Sequence, residues 1–321
     1  MNVHSSPVPD AFPYCGRFAP SPTGHLHFGS LIAALASCLE ARAQGGRWLV
    51  RMEDVDAPRN TPGAAESILK TLEAYGFVWD GAVLWQSTRL EAYRAALERL
   101  RAQGLVFGCA CSRKEIAAAT HIRALDGSLR YPGTCRAGWP AGRTPRAWRF
   151  RVTDQPVSFM DAVQGAQEQN LAQETGDFVL LRADGLFAYQ LAVVTDDADQ
   201  GITHVVRGAD LLDSTPRQIA LQRALAVATP SYAHLPVVVD ATGEKLSKQT
   251  LAPPLEIARA AENLVAALCF LGQCPPLGLR RARVTEVWDW AQKHWDFAAI
   301  PRCRQLLPDG VKKPCFLLHP S

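Results

Sequence analysis

The sequence lacks any apolar run long enough to span a bilayer, which excludes a membrane-spanning protein. Residues 1–13 carry prolines and serines but not the apolar core of a signal peptide, so we predict a flexible leader there. Internal repeats and low-complexity tracts are also missing. These absences favour an ordinary globular protein of the cytoplasm.

The sequence also lacks a strong excess of either positive or negative charge. The 34 basic and 31 acidic residues leave a net charge of +3, which permits nucleic-acid binding without requiring it. Basic residues crowd the C-terminal part, either as an RNA-facing surface or as a solvated helical face. The nine cysteines are odd in number and scattered, so reduced thiols or a metal site are favoured over a disulfide framework.

The stretch RFAPSPTGHLHFGS, residues 17–30, organises the first part of the chain. A strand at 14–19 runs into a turn stiffened by two prolines, and apolar residues from Phe28 to Leu39 then recur at helical spacing. The start of this helix offers unpaired N–H groups and a positive dipole end, with His27 at its mouth and room for a ligand at Gly29. The pattern predicts an anion site, although a histidine and glycine at a helix start also occur in purely structural turns.

A second strand, Arg47 to Glu53, is followed by helical spacing near residues 68–72 and 93–100. Strands that alternate with helices predict an α/β fold with a doubly wound parallel sheet, whose ligands lie at the carboxyl ends of the strands. Glu53 lies at such an end. The alternative for Glu53 is an exposed acid on a loop.

The pattern changes near Val106, where short alternating pieces with many glycines and prolines predict an inserted, mostly β subdomain. Strands return at residues 178–181 and 187–195, a helix begins at Thr215-Pro216, and a buried strand covers 235–240. After Pro254 the sequence predicts helices to near the end of the chain. The predicted organisation is a leader at 1–13, a catalytic domain in two halves at 14–105 and 187–250, the insert at 106–186, and a C-terminal helical domain at 251–321.

The insert contains a C-x-C-x19-Y-x3-C pattern formed by Cys109, Cys111, Tyr131 and Cys135. Two cysteines one residue apart can face one ion, and the third can help to close a tetrahedral site. Tyr131 would be an unusual fourth ligand, His121 is the more ordinary one, and cysteines without any metal are the third possibility. A zinc ion held by four protein ligands would be structural, since no position remains for a reacting water.

RFAPSPTGHLHFGS resembles the HIGH signature of class I aminoacyl-tRNA synthetases, and RFAPSPTG resembles the glutamyl branch of that family. Ser30 stands where the signature has its second histidine. Residues 245–249, KLSKQ, resemble the partner KMSKS loop, with Gln249 in place of the final serine. The resemblance implies a Rossmann-like nucleotide-binding fold with Mg-ATP as substrate, His27 and Lys248 in catalysis, and an ATP site at His27, Gly29, Lys245 and Lys248.

Residues 177–212 also resemble the glutamyl branch, and we expect a strand pair there to carry Tyr189, Asp196, Asp197 and Arg207 toward the cleft. The side-chain carboxylate of glutamate would meet arginine through two parallel hydrogen bonds. The alternative for Arg207 is a structural ion pair with Asp210 or Asp213. The glutamate site implied by the resemblance comprises Arg17, Phe18, Ala19, Pro20, Ser21, Glu53, Tyr189 and Arg207.

Only a short segment follows the KLSK loop, so we expect no anticodon-binding domain. With the cysteine pattern, this resembles the glutamyl-Q branch of the family, which implies one structural zinc on Cys109, Cys111, Tyr131 and Cys135. It also implies a monomer that activates L-glutamate with ATP and transfers it to queuosine in the anticodon loop of tRNA(Asp). The alternatives are a truncated synthetase that charges a tRNA 3′ end and a catalytically silent RNA-binding paralogue.

Overall fold

The computed structural model describes residues 13–124, 127–240 and 253–308. Its first half alternates strands with helices, and the three strands form one parallel sheet in the order β1-β2-β3. This confirms the strand–turn–helix arrangement predicted for the start of the chain. The elements are β1 (Cys15–Phe18), α1 (Phe28–Ala43), β2 (Arg47–Met52), α2 (Ala64–Ala74), β3 (Leu84–Trp85) and α3 (Leu90–Ala102).

Helix α1 lies at the centre of the largest hydrophobic cluster. The predicted apolar face is buried, and small residues such as Ala34 and Ala36 on its other sides are buried too. The helix is therefore covered nearly all round, as expected of one that packs between a sheet and further helices. Ser37, on the same helix, accepts a hydrogen bond from the indole of Trp48 at 3.0 Å, which satisfies the polar groups of both buried residues.

The predicted insert consists of short strands with two short helices. Three of its strands form an antiparallel sheet in the order β4-β5-β8, and β6 and β7 form a separate hairpin. Helix α4 begins with a capping box between Ser112 and Glu115. The elements are β4 (Val106–Cys109), α4 (Arg113–Ala119), β5 (Ala147–Phe150), β6 (Val157–Asp161), β7 (Gly165–Gln169), α5 (Leu171–Glu174) and β8 (Val179–Leu181).

The chain then completes the central sheet with α6 (Tyr189–Asp199), β9 (His204–Gly208), α7 (Thr215–Ala224), β10 (Ser231–Leu235) and β11 (Val237–Val238). Strand β10 pairs in parallel with both β9 and β6. The N–H of Thr203 donates to the carbonyl of Cys15 at 3.0 Å, which links β9 to β1. Two sheets, β3-β2-β1 and β9-β10-β6-β7, therefore lie edge to edge, with β1 beside β9. This confirms a mixed α/β, mostly parallel sheet of the Rossmann type.

The strand predicted at residues 187–195 is wrong, because Tyr189–Asp199 form helix α6. Every residue from Gln190 to Asp197 is buried, so the segment has no polar face from which a helical period could be read. The strand predicted at 235–240 is instead divided at Pro236 between the end of β10 and β11.

The C-terminal elements are α8 (Ala260–Phe270), α9 (Val284–His294) and β12 (Gln305–Leu306). Both helices contribute to the same hydrophobic cluster as α1. The indole of Trp288 donates to the carbonyl of Tyr75 at 2.8 Å, beside Gly76, whose φ of +79° and close approach to that indole leave no space for a side chain. Strand β12 pairs with β11, so the described chain ends in a strand rather than in the helix predicted there. No helix in these described ranges has the length and apolar character needed to cross a membrane.

Candidate functional site

A cavity of about 580 Å³ opens at the carboxyl ends of β1 and β9, where the winding of the sheet reverses direction. All of the described residues that the sequence nominated for the glutamate and ATP sites line it. They are Arg17, Phe18, Ala19, Pro20, Ser21, His27, Gly29, Glu53, Tyr189 and Arg207. The two nominated lysines, Lys245 and Lys248, lie outside the described residues.

The start of α1 forms one wall of this cavity. His27 is the N-cap residue with extended backbone, and its carbonyl accepts the N–H of Leu31 at 3.0 Å. Its imidazole makes no capping hydrogen bond to α1. The first turn, from Phe28, thus presents the positive end of the helix dipole where the sequence predicted an anion site.

Arg207 on β9 is buried, and its guanidinium contacts four neighbouring side chains and, 3.4 Å from Nη2, the carbonyl of Leu211. Its Nε–H donates to Nε2 of His234 at 3.0 Å, and its Nη2 donates to Thr215 and to Gln218, both at 2.9 Å. Its Nη1 donates to the hydroxyl of Tyr189 at 3.3 Å. All of these acceptors are uncharged, so they fix the guanidinium without neutralising it.

This arrangement changes the predicted form of carboxylate binding. A guanidinium has five N–H groups, and one N–H on Nη1 of Arg207 is left for a ligand. The hydroxyl of Tyr189 accepts from Arg207 and can donate its own hydrogen. The structure thus offers a ligand two donors on two side chains, whereas two parallel bonds from arginine alone were expected. Asp213 was one of the two alternative ion-pair partners for Arg207, and its Oδ1 lies 3.5 Å from Nη1 of Arg304 instead.

Behind Arg207 lies a buried histidine–aspartate pair that the sequence did not reveal. Nδ1 of His234 lies 2.5 Å from Oδ2 of Asp161, and both side chains are fully buried. Burial lowers the pKa of His234 to about 4, so its imidazole is neutral near pH 7. Burial alone would raise the pKa of Asp161, but His234 and backbone N–H donors reverse this and lower it. Nδ1 of the neutral ring therefore carries the hydrogen, and Nε2 accepts from Arg207.

A second charged cluster underlies the opposite wall. Oδ1 of Asp197 accepts from Nε of Arg17 at 3.3 Å and lies 2.8 Å from Nη2 of Arg51, which is 3.5 Å from Oε1 of Glu53. Burial raises the pKa of Glu53 more than Arg51 and Arg17 lower it. Burial would also raise the pKa of Asp197, but its contacts with Arg17 and Arg51 outweigh that effect and lower it. Sequence reasoning missed Arg51, although an arginine inside the apolar strand RWLVRM is a signal that could have identified it.

Asp196 was expected to point toward the cleft, and this is wrong. Its carboxylate accepts from Nε2 of Gln86 at 2.8 Å, from the hydroxyl of Tyr93 at 2.7 Å and from Nε of Arg89 at 3.1 Å. Consecutive residues on a helix point about 100° apart, so Asp197 contacts Arg17 and Arg51 behind the cavity wall while Asp196 joins α6 to α3.

The three cysteines nominated as metal ligands come together in the insert. The sulfur atoms of Cys109, Cys111 and Cys135 all lie within 4.8 Å of one another, and Cys111 is 3.6 Å from Cys135. The hydroxyl of Tyr131 is 3.4 Å from the sulfur of Cys109 and 3.7 Å from that of Cys111. Sulfurs on a tetrahedral zinc ion are separated by roughly 3.8 Å, so this donor set fits zinc. His121 is exposed and is not part of the cluster that the described residues form.

Comparisons with known proteins agree with this geometry. The family model for the catalytic domain of class I tRNA synthetases (E and Q) matches residues 15–270. The chain is 65% identical over 291 residues to a glutamyl-Q tRNA(Asp) synthetase of Dechloromonas aromatica, which covers 90% of this chain and 96% of that protein. It is 54% identical over 293 residues to a protein of the same name from Pseudomonas aeruginosa strain PAO1, with 91% of this chain and 97% of that protein covered.

Among solved structures, a glutamate tRNA ligase from Elizabethkingia meningosepticum in complex with its amino acid superimposes with a TM-score of 0.75 at 24% identity. The match covers 91% of this chain and 66% of that one, so this chain spans slightly less than two thirds of the solved protein. At this identity the likeness establishes the fold.

Proposed function

Because the chain belongs to the class I tRNA synthetases of the E and Q group, we propose that it activates L-glutamate with ATP and transfers the glutamyl group to queuosine in the anticodon loop of tRNA(Asp). Relatives with 54% and 65% identity over most of the chain carry the name of this activity. The structural observation that supports glutamate as the substrate is the buried guanidinium of Arg207, whose hydrogen-bond acceptors among the described residues are uncharged, beside the hydroxyl of Tyr189.

The substrate side-chain carboxylate would accept hydrogen bonds from Nη1 of Arg207 and from Tyr189. Glutamine presents a neutral amide with one oxygen in the same position, so the buried positive charge would lose its counter-ion. Glu53, on the wall supplied by β2, would accept from the substrate ammonium. Arg17 is tied to Asp197 and completes this polar wall.

In the first step an oxygen of the substrate α-carboxylate attacks the α-phosphorus of ATP, and pyrophosphate leaves. The start of α1 and the imidazole of His27, which line the cavity, would donate to phosphate oxygens, and Gly29 would allow the phosphates to approach the backbone closely. Lys245 and Lys248 would balance the charge of the departing pyrophosphate, with ATP entering as its magnesium complex.

In the second step a hydroxyl of the cyclopentenediol ring of queuosine attacks the carbonyl carbon of glutamyl-adenylate, and AMP leaves. The acceptor is part of an RNA hairpin, which proteins recognise largely by shape and phosphate contacts. Residues 106–186, as an inserted subdomain, and the helices of a C-terminal domain over 251–321 are the surfaces proposed to meet it. The proposal includes a monomer that acts in the cytoplasm.

Zinc in the insert would be held by Cys109, Cys111, Cys135 and Tyr131, and it would supply folding energy rather than a reacting group. The hydrophobic cluster at this site has only five buried residues, and three of them are the proposed ligands Cys109, Tyr131 and Cys135, with Phe107 and Ala110 as the other two. A metal ion would compensate for so small a core.

The decisive experiment supplies labelled glutamate and ATP with three RNAs in parallel: queuosine-containing tRNA(Asp), the same tRNA without the modified base, and tRNA(Glu). We expect label on the queuosine-containing RNA alone. Label on tRNA(Glu) would identify a synthetase that charges the 3′ end. If no glutamate-dependent pyrophosphate exchange is found, the protein does not activate glutamate and the proposed function is wrong.

A further inference from the structure

We propose that Asp161, on the β6–β7 hairpin, is a positioning residue for recognition of the substrate side-chain carboxylate, acting through His234 on Arg207. This inference rests on the proposed function, because it assigns a task to the supports of Arg207 in glutamate binding. Neither Asp161 nor His234 lines the cavity. Both would act without touching the substrate.

The geometry is a single line of hydrogen bonds across three strands. Arg207 on β9 lies directly opposite His234 on β10, and β10 pairs with β6 at Asp161. The two contacts measure 2.5 Å from Asp161 to His234 and 3.0 Å from His234 to Arg207. All three side chains are buried, so water cannot substitute for a lost partner.

Asp161 determines which atoms donate and which accept in this line of hydrogen bonds. Nε–H of Arg207 can only donate, so Nε2 of His234 must accept and Nδ1 must carry the ring hydrogen. A carboxylate at position 161 can only accept, and it therefore selects this tautomer. With Nε satisfied in this way, the guanidinium is turned so that an Nη1 hydrogen remains for a ligand.

Asp161 also anchors the hairpin to the site. Its Oδ1 accepts the backbone N–H groups of Val163, Gln164 and His234, at 2.8 to 3.1 Å. The side-chain amide of Gln164 donates to the carbonyls of His234 at 2.7 Å and Cys303 at 2.9 Å. One carboxylate thus fixes both the turn of the hairpin and the tautomer that holds Arg207.

The test begins with Asp161→Asn, which keeps the size of the side chain. Three backbone N–H groups require an oxygen at Oδ1, so the new amide nitrogen would face Nδ1 of His234. The ring would then carry its hydrogen on Nε2, directly opposite the Nε–H of Arg207. We expect the KM for glutamate in pyrophosphate exchange to rise about 10- to 100-fold, with the KM for ATP unchanged. Losses of this size are typical when a residue that orients a binding side chain is replaced, as is known for metal sites.

A second variant distinguishes positioning from a general structural role. In His234→Gln the side-chain carbonyl can accept from Arg207 whatever stands at position 161. Asp161→Asn should therefore add little to the glutamate KM of His234→Gln, although it is severe alone. Such non-additivity is expected only if Asp161 acts through His234.

Asp177→Asn is the matched control. Asp177 is a buried acid of the same insert that accepts from Arg136 at 2.5 Å and from the N–H of Val152 at 2.9 Å, away from the cavity. It should lower the melting temperature and leave the glutamate KM unchanged. An equal glutamate KM in Asp161→Asn and wild type, or full additivity with His234→Gln, would overturn the inference while wild-type exchange upholds the proposed function. A wild-type protein without glutamate-dependent exchange would overturn both.

Discussion

The substrate cavity and the cysteine cluster differ in how they are held together. The cavity takes its polar side chains from β1, β2, α6 and β9, and they are linked through hydrogen bonds and ion pairs between buried groups. The cysteine cluster takes all its members from one stretch, residues 109–135, and its sulfurs face one another. The cavity is therefore organised by contacts within the protein itself, whereas the cysteine cluster could hold a metal ion that links its members.

The two regions therefore differ in what keeps their side chains in place. In the cavity each buried charge is oriented by neighbours that the fold brings from distant parts of the chain. In the insert, few apolar residues surround the cysteines. Substitutions in the first region should change substrate binding, and loss of metal from the second should change folding.

The largest effect is expected from Arg207→Lys. An ammonium cannot reproduce the four fixed contacts and the remaining N–H toward the ligand, so kcat/KM for glutamate should fall at least about 10³-fold. Pyrophosphate exchange measures this. Arg304→Lys, at the exposed ion pair with Asp213, is the control and should behave as wild type. A fall of less than about tenfold would contradict the role of Arg207.

Removal of metal should unfold the insert while sparing the cavity fold. We expect about one zinc per wild-type chain and almost none in Cys135→Ser, together with faster proteolysis within residues 106–186. Cys274→Ser, at an exposed cysteine, is the control for loss of a thiol. Metal analysis that finds no zinc in the wild-type protein would rule out the site.

Asp196 and Asp197, adjacent on α6, allow an effect on substrate binding to be compared with an effect on stability. Asp197→Asn weakens the partner of Arg17 and Arg51, so the glutamate KM should rise by about tenfold or more. Asp196→Asn should instead destabilise the protein by about 1–3 kcal/mol, because Gln86, Tyr93 and Arg89 lose part of their acceptor. Urea unfolding and exchange kinetics on both variants test this, and similar glutamate KM values in the two would contradict it.

The last prediction is a pH dependence of stability that arises from His234 and requires no substitution. Its folded-state pKa of about 4 lies below the ordinary value of 6.5, so between these values only the unfolded chain binds the proton. The free energy of unfolding should therefore fall by roughly 3 kcal/mol as the pH is lowered through this range. The charged groups that act on the ring are Asp161, Arg207 and Asp210. The pKa of Asp161 is itself lowered, so the loss of stability from its own protonation comes at lower pH.

Urea unfolding at about pH 7 and about pH 4.5 measures this dependence. His234→Gln should show a flatter profile than wild type. Parallel profiles for the two proteins would contradict the assignment to His234.

Local patterns in the sequence were enough for much of the framework. The strand–turn–helix around residues 14–39 follows from proline stiffness and helical spacing, and the cysteine spacing brought three thiols together as predicted. Helix α6 could not be recognised, because a segment buried on all sides carries no amphipathic period. The two lysines of the KLSK stretch remain predictions from sequence.

The sequence by itself determined the alternation of strands and helices and the helix start at the cavity, since turns, caps and periodicity are local properties. The nominated lining from Arg17 to Arg207 came from the resemblance of its motifs to the glutamyl branch. Only the tertiary structure decided which charges meet. It paired Arg51 with Asp197, turned Asp196 away, and placed Asp161 and His234 behind Arg207. Those contacts join residues far apart in the chain, and their geometry depends on how the strands are ordered in the sheet.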